Sequence, residues 1–206
     1  MFKLCEYQEL KIAHFKEFGA LLEENAGDEK RVLLPSKEVP EGAKAGDTVK
    51  VFLYLDSKDR RIATTKEPLI TLDQVKPLTV KDVTKIGLFL DWGLPKDLLL
   101  PFHEINGRPE KGDEILVRLY IDKSGRPAAT MRHLYHYLRT DSPYKRDDEV
   151  NGRIYEFGHD FGTFVAVDDI FSGMIPRHED TGNYRIGDVI TLRVTDVKPD
   201  GKLALT

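Results

Sequence analysis

The chain has 206 residues, of which 32% are charged, and its formal net charge of −4 excludes a bulk attraction of the whole molecule to polyanions. It contains no apolar run of about 18 residues, so no membrane span is expected, and its first residues lack the order of a signal peptide. The single cysteine, Cys5, excludes an internal disulfide framework and favours a cytoplasmic location.

The same pattern of glycine and proline residues occurs three times along the chain. Each copy has a glycine that interrupts an apolar run, a proline that closes the next run, and a Gly-Asp pair before a long alternating run. These anchors are Gly19, Pro35 and Gly46 in copy one, Gly87, Pro101 and Gly112 in copy two, and Gly162, Pro176 and Gly187 in copy three. The interval from proline to Gly-Asp pair is identical in all three copies. We infer a threefold duplication.

The elements of each copy are predicted to be strands. After the first Gly-Asp pair, Val49, Val51 and Leu53 alternate with outward residues, as a half-buried strand requires. A polar turn and a short last strand follow, and copies two and three repeat this order. About five short strands in so small a unit must close on themselves to remove their edges. The predicted fold is therefore all-β, with three tandem five-stranded Greek-key barrels of the OB-fold type.

The connections between copies define the predicted domains. These are barrel 1 at 1–66, barrel 2 at 77–130, a linker at 131–149 and barrel 3 at 150–206. In the linker, Leu134, Tyr137 and Leu138 have the i, i+3, i+4 spacing that predicts a short helix, which ends before Ser142.

The glycine-broken second strand, the apolar run closed by proline, and the Gly-Asp strand with its polar turn resemble the S1-type RNA-binding domain in all three copies. Residues 90–101, Leu-Asp-Trp-Gly-Leu-Pro-Lys-Asp-Leu-Leu-Leu-Pro, are more specific. Together with 51–57 and 61–64, they resemble the conserved virulence factor B (CvfB, YitL-like) family of bacterial RNA-binding regulators. The resemblance implies non-catalytic binding of single-stranded RNA and a role in post-transcriptional regulation of gene expression, including virulence.

The chain departs from this family in two respects. In copy one, residues 23–31 replace the tight Asp-Trp-Gly turn. Family members are similar in carrying a winged-helix domain after the barrels, whereas this sequence ends at Thr206, directly after the last predicted strand of copy three. A further domain beyond this sequence is therefore an open alternative.

The resemblance also implies where RNA would bind. In S1-type barrels RNA crosses strands two and three, where aromatic rings stack on bases, and basic groups in the turn before the last strand meet phosphates. The candidates so assigned are Phe18, Arg60 and Arg61 in copy one and Phe89 and Arg126 in copy two. Trp92, the only tryptophan, lies in a turn close to Lys96, and the two are further candidates for a stacking platform and a phosphate contact. The alternative for each phenylalanine is core packing, and the alternative for Trp92 is a cap over the barrel end.

The linker interleaves basic and aromatic residues, a composition typical of a surface that binds single strands. Its candidates are Arg132, Tyr135, Arg139, Lys145 and Arg146. The alternative is an ordinary docked helix with solvated arginines. Copy two has balanced charge and adjoins the linker, so it is expected to bind RNA first.

Copy three has Phe161, Phe164 and Lys202 at matching positions, but it contains more acidic than basic residues. It is therefore expected to act as a spacer or as a platform for protein partners.

An enzyme is not expected, because the sequence has no Cys/His metal spacing, no phosphate-cradling glycine loop and no nucleophile turn. For the same reason no metal or cofactor is predicted. The rival hypothesis to RNA binding is an interaction scaffold for ribosomal or RNA-decay proteins, which the acidity of copy three favours. A membrane partner is not expected.

Overall fold

A computed structural model describes all 206 residues, Met1–Thr206. The protein consists of fifteen strands and three single-turn 3-10 helices at Ser36–Glu38, Phe102–Glu104 and Leu134–His136. None of these helices has the length and apolar character needed to cross a membrane.

The first five strands form a closed barrel. They are β1 (Tyr7–Lys16), β2 (Gly19–Glu23), β3 (Val32–Pro35), β4 (Thr48–Leu55) and β5 (Arg61–Thr64), in the order β1-β2-β3-β5-β4. The alternating inward residues fill the barrel, and Leu10, Leu22, Leu34 and Leu53 are all almost fully buried in its core. A parallel pair between Leu33 and Ile62 joins β3 to β5.

The second five strands repeat this order. They are β6 (Val75–Val83), β7 (Gly87–Asp91), β8 (Leu98–Pro101), β9 (Glu114–Ile121) and β10 (Pro127–Thr130), and their sheet has the order β10-β9-β6-β7-β8. This is the cyclic order of the first barrel, written from its fifth strand.

The last five strands form another closed barrel, in the order β11-β12-β13-β15-β14. They are β11 (Glu149–Gly158), β12 (Gly162–Val167), β13 (Phe171–Pro176), β14 (Val189–Val197) and β15 (Leu203–Leu205). Its core is built from Ile154, Val165, Val167, Val194 and Leu205. The prediction of an all-β chain of tandem five-stranded OB-fold barrels is confirmed.

The three strand-breaking glycines occupy one position in this fold, at the start of the second strand of each barrel. A Cβ atom on Gly19, Gly87 or Gly162 would lie 2.1, 2.2 or 2.0 Å from a backbone carbonyl oxygen of the neighbouring strand. Their φ angles of +154°, +152° and +131° also disfavour L side chains. Glycine therefore allows the second and third strands to approach closely where the barrel bends.

The chain divides into two compact units. Residues 1–72, 92–98 and 120–128 form the first, and residues 73–91, 99–119 and 129–206 form the second.

The predicted linker helix is wrong, because the linker forms only the 3-10 turn at Leu134–His136. Leu134 and Leu138 are buried, at 0% and 7% exposure, in a cluster with Leu116 and Tyr155. Their spacing therefore reflects docking of an irregular segment onto the outer faces of β9 and β11. Apolar residues of an irregular docked segment can therefore have the same spacing as those of an amphipathic helix.

Candidate nucleic-acid interface

The outer face of the third barrel carries a groove of about 1120 Å³. The hairpin that joins β11 to β12 forms one wall, and the turn between β14 and β15 forms the other. Strand β13 and Tyr135 of the linker complete the lining. All of these residues belong to the second compact unit.

Aromatic side chains project into this groove because they lie on the outward side of the strands or at the hairpin tip. Phe161 and Phe157 flank the tip and are 70% and 44% exposed. Phe164 alternates with the core residues of β12 and so points outward. Its ring stacks on Tyr135, with centroids 6.0 Å apart and planes inclined by 24°. Tyr155 also lies against this ring, with centroids 6.1 Å apart, so the groove offers the exposed ring of Phe161 beside the packed pair of Phe164 and Tyr135.

Two lysines stand at the opposite rim, in the turn between β14 and β15. Lys198 Nζ lies 3.6 Å from Asp196 Oδ2, and Lys202 Nζ lies 3.3 Å from Asp200 Oδ2. All four side chains are more than half exposed. Ion pairs this exposed are weak, so either lysine can turn toward a phosphate at little cost.

One wall of the groove also carries a carboxylate, that of Glu156. The residue is half-buried, and its Oε2 atom is shielded from solvent without any hydrogen-bond donor. Burial, and secondarily the charge of Glu156, raises the pKa of the neighbouring Tyr155 phenol. Asp200 in the same groove pairs with Lys202, whereas the shielded oxygen of Glu156 has no hydrogen-bond partner.

The structure favours the packing alternative for Trp92, which is only 3% exposed. Phe52 and Tyr54 meet its ring edge-on, with centroid distances of 6.0 and 6.2 Å. Its indole Nε1 donates a hydrogen bond of 2.5 Å to the backbone oxygen of Lys96. The ring therefore has no open face on which a base could stack.

The basic candidates beside Trp92 are held by carboxylates. Lys96 Nζ lies 3.0 Å from Asp59 Oδ1, and Arg126 lies 2.9 Å from Asp59 Oδ2. The hydrogen bond from Lys96 lowers the pKa of Asp59. Arg60 is paired in the same way with Asp56, at 2.8 Å. Any phosphate would have to compete with these carboxylates.

The phenylalanine candidates fall at two different positions of the repeat, whereas the sequence predicted one position near the glycine. Phe18 and Phe161 directly precede the strand-breaking glycine, and the equivalent residue in the second barrel is Ile86. All three are at least 60% exposed. Phe89 instead matches Phe164, two residues after the glycine. Counting from the glycine would have revealed this from the sequence alone.

The linker candidates are dispersed. Tyr135 joins the groove, whereas Arg132 donates to the backbone oxygen of His103 at 2.6 Å. Arg139 forms two hydrogen bonds, of 2.8 and 2.6 Å, with Asp141. Lys145 and Arg146 are exposed, as is Arg61 on β5. The linker therefore does not present all its basic residues as one surface.

Sequence reasoning missed the other lining residues of the groove, notably Phe157, Lys198 and Glu156. Phe157 lies at the hairpin tip, and its position beside Gly158 was a usable signal. The chain has no group of three or more His, Cys, Asp or Glu side chains placed to hold a metal ion.

The strand order and the outward aromatic face define an OB-fold protein with tandem barrels. The family model described as S1 domain matches residues 5–66 and 74–132. The Bacillus subtilis protein YitL is 33% identical over 96% of this chain. The chain therefore belongs to the S1 domain family and, within it, to the CvfB/YitL-like proteins.

Further relatives extend this comparison. Conserved virulence factor B of Staphylococcus aureus is 23% identical over 77% of the chain. A crystal structure of a multidomain protein with nucleic acid binding domains, from Streptococcus pneumoniae, superposes over 98% of the chain and 73% of its own length, with a TM-score of 0.67 and 26% identity. The chain spans 67% of the length of YitL and 55% of the length of the Staphylococcus aureus protein.

Proposed function

We propose that this chain binds single-stranded RNA without catalysis, and that the groove of the third barrel is its principal site. The observation that carries the proposal is one groove lined by Phe157, Phe161 and Phe164 together with the lysines at 198 and 202. Such a combination supplies stacking surfaces for bases on one side and cations for the backbone on the other.

The proposal moves the main site from the second barrel to the third. The acidity of residues 150–206 argues against bulk attraction, but stacking of bases on aromatic rings depends little on charge and is worth about 1–3 kcal/mol per base. The first barrel contributes Phe18 and Arg61 in this proposal, because both are exposed. Lys145 and Arg146 add further phosphate contacts. Lys96, Arg60 and Arg126 contribute only where a phosphate displaces a carboxylate.

The relatives support this proposal. The solved Streptococcus pneumoniae protein is described as having nucleic acid binding domains, and the Staphylococcus aureus relatives are named as virulence factors. We accordingly propose that the protein acts in the cytoplasm in post-transcriptional regulation of bacterial gene expression.

A titration tests the proposal. Fluorescently labelled single-stranded RNA of about 12 nucleotides, a length within the usual range for one OB-fold, is titrated with the intact chain at low and at moderate salt. We expect binding at low salt that weakens as salt rises, because phosphate contacts release counterions. Phe161→Ala should weaken binding about tenfold, which corresponds to roughly 1.4 kcal/mol.

Phe102→Ala is the matched control, since Phe102 is also half exposed but lies in a 3-10 turn away from the groove residues in sequence. Absence of RNA binding at low salt, or equal losses in both variants, would contradict the proposal.

A second candidate function is an interaction scaffold for ribosomal or RNA-decay proteins. The predominantly apolar lining of the groove and the excess of acidic residues in the third barrel favour it. If Phe161→Ala left RNA binding unchanged, an interaction scaffold would become the preferred function for the groove.

A further inference from the structure

The shielded carboxylate of Glu156 has no evident role in the stability of the barrel. Its Oε2 atom is buried, accepts no hydrogen bond and has no ion pair. By contrast Glu23, which also has a shielded oxygen, has Arg31 at 3.5 Å. Buried polar atoms of native proteins almost always have a partner, so an orphan atom in a binding groove calls for a ligand that supplies one.

We infer that Glu156 reads the hydrogen-bonding edge of a base held in the groove and that the groove selects guanine. This inference rests on the proposed function of the same groove. Glu156 lies on β11 and pairs in register with Phe164 on β12. A base that stacks near Phe164 therefore has its edge close to the Glu156 carboxylate.

The register between these strands explains how the glutamate reaches the groove. The pairing of β11 with β12 shifts between Ile154 and Glu156, as at a β-bulge. Tyr155 turns into the cluster beneath the linker, where it is 1% exposed, and Glu156 lines the groove. Bulges commonly redirect side chains next to binding sites.

The chemistry of the four bases decides the preference. A carboxylate offers two acceptor oxygens and no donor. Guanine presents two adjacent donors, N1–H and the exocyclic amino group, which match both oxygens once the carboxylate turns its shielded Oε2 atom into the groove. Adenine and cytosine present one amino donor beside an acceptor nitrogen. Uracil presents one N–H between two carbonyl oxygens, and these repel the carboxylate.

The aromatic walls strengthen this discrimination. Tyr135, Phe161 and Phe164 line the same groove as Glu156, and a base stacked there excludes water from the carboxylate. Hydrogen bonds to a charged group are stronger where water is excluded. A base whose polar edge finds no hydrogen-bond partner there binds less favourably. We expect an RNA with guanine at the groove position to bind about tenfold more tightly than one with uracil.

The test uses the intact chain and four labelled uridine-rich nonamers that differ only in the central base, which is G, A, C or U. Wild-type protein should bind the G nonamer about tenfold more tightly than the all-U nonamer. Glu156→Gln should reduce this ratio below about twofold and should bind the all-U nonamer more tightly than wild type does, because an amide offers one donor and one acceptor to uracil.

Glu149→Gln is the matched control, since it makes the same chemical change at an exposed position of the same strand, and it should leave the ratio unchanged. Thermal unfolding followed by circular dichroism shows that each variant is folded. Equal affinity of wild type for all four nonamers would overturn the inference while leaving RNA binding intact. A uniform loss for every nonamer in Glu156→Gln would also overturn it. Absence of binding to any nonamer would instead overturn the proposed function.

Discussion

Trp92 in the first compact unit and Phe161 in the third barrel have opposite environments. Trp92 is 3% exposed and lies edge-on against Phe52 and Tyr54. Phe161 is 70% exposed and lines an open groove. The two residues lie at different positions of the repeat, since Trp92 follows the second strand of its barrel and Phe161 precedes the second strand of another. Phe18 and Ile86, at the repeat position of Phe161, are also exposed, so the difference follows the repeat position and the side chains packed around it.

The basic residues show the same contrast. Lys96 and Arg126 share one carboxylate, that of Asp59, whereas Lys198 and Lys202 lie at the rim of the aromatic groove and each pairs with an aspartate two residues away in sequence. A basic residue predicts a phosphate contact only if the folded protein leaves its side chain accessible to phosphate. The acidic third barrel therefore offers a better binding surface than its net charge indicates.

The largest expected effect is on stability. Trp92→Ala should lower the free energy of unfolding by about 3–5 kcal/mol, because it removes a large buried side chain and leaves a cavity. Phe161→Ala, an exposed truncation, should change it by less than about 0.5 kcal/mol. Urea unfolding followed by circular dichroism measures both. Similar stability losses in the two variants would remove the contrast between the covered and the open aromatic residues.

The next largest effect is on RNA binding and compares the same repeat position in the second and third barrels. Phe164→Ala should weaken RNA binding by about 1–3 kcal/mol, as loss of a stacking platform does. Phe89→Ala, two residues after the equivalent glycine, should weaken it less, because Phe89 does not line the groove of the third barrel. Fluorescence titration of both variants with the same oligonucleotide measures the difference. A larger loss for Phe89→Ala would return the main site to the second barrel.

The repeat and the fold were predictable because they depend on local chemistry. Gly162 is required where a Cβ would meet a carbonyl oxygen at 2.0 Å, and Val49, Val51 and Leu53 recur at every second position of β4 because they enter the barrel core. These requirements leave a glycine, a proline and a Gly-Asp pair in each copy, with the same interval from the proline to the Gly-Asp pair.

The site was predictable only in part, because it depends on contacts between residues far apart in sequence. Burial of Trp92 needs Phe52 and Tyr54, and Tyr135 enters the groove only because Leu134 docks beside Tyr155. No sequence pattern within a single copy predicts either contact. Phe161 and Phe164 were found from the repeat, but the acidity of their barrel concealed their importance.

The smallest expected effect is a titration shift that tests whether Lys96 is held by Asp59. The pKa of Asp59 is lowered, chiefly by its hydrogen bond from Lys96. Lys96→Met should therefore raise this pKa toward the ordinary aspartate value of about 3.9, as followed by carbon NMR of the labelled carboxyl group. Because the pKa of Asp59 is lowered in the folded protein, the pairing stabilises the folded state at pH values above the ordinary pKa of aspartate. This contribution is lost as the pH falls through the lowered pKa.

Thr48→Val is the control for the titration, since Thr48 is an exposed strand residue of the same unit without a charge. It should leave the pKa of Asp59 unchanged. If Lys96→Met also left that pKa unchanged, Lys96 would not be engaged by Asp59 in solution. It would then be as available to phosphate as Lys202, and the distinction between the paired cations of the first unit and the rim lysines of the groove would fail.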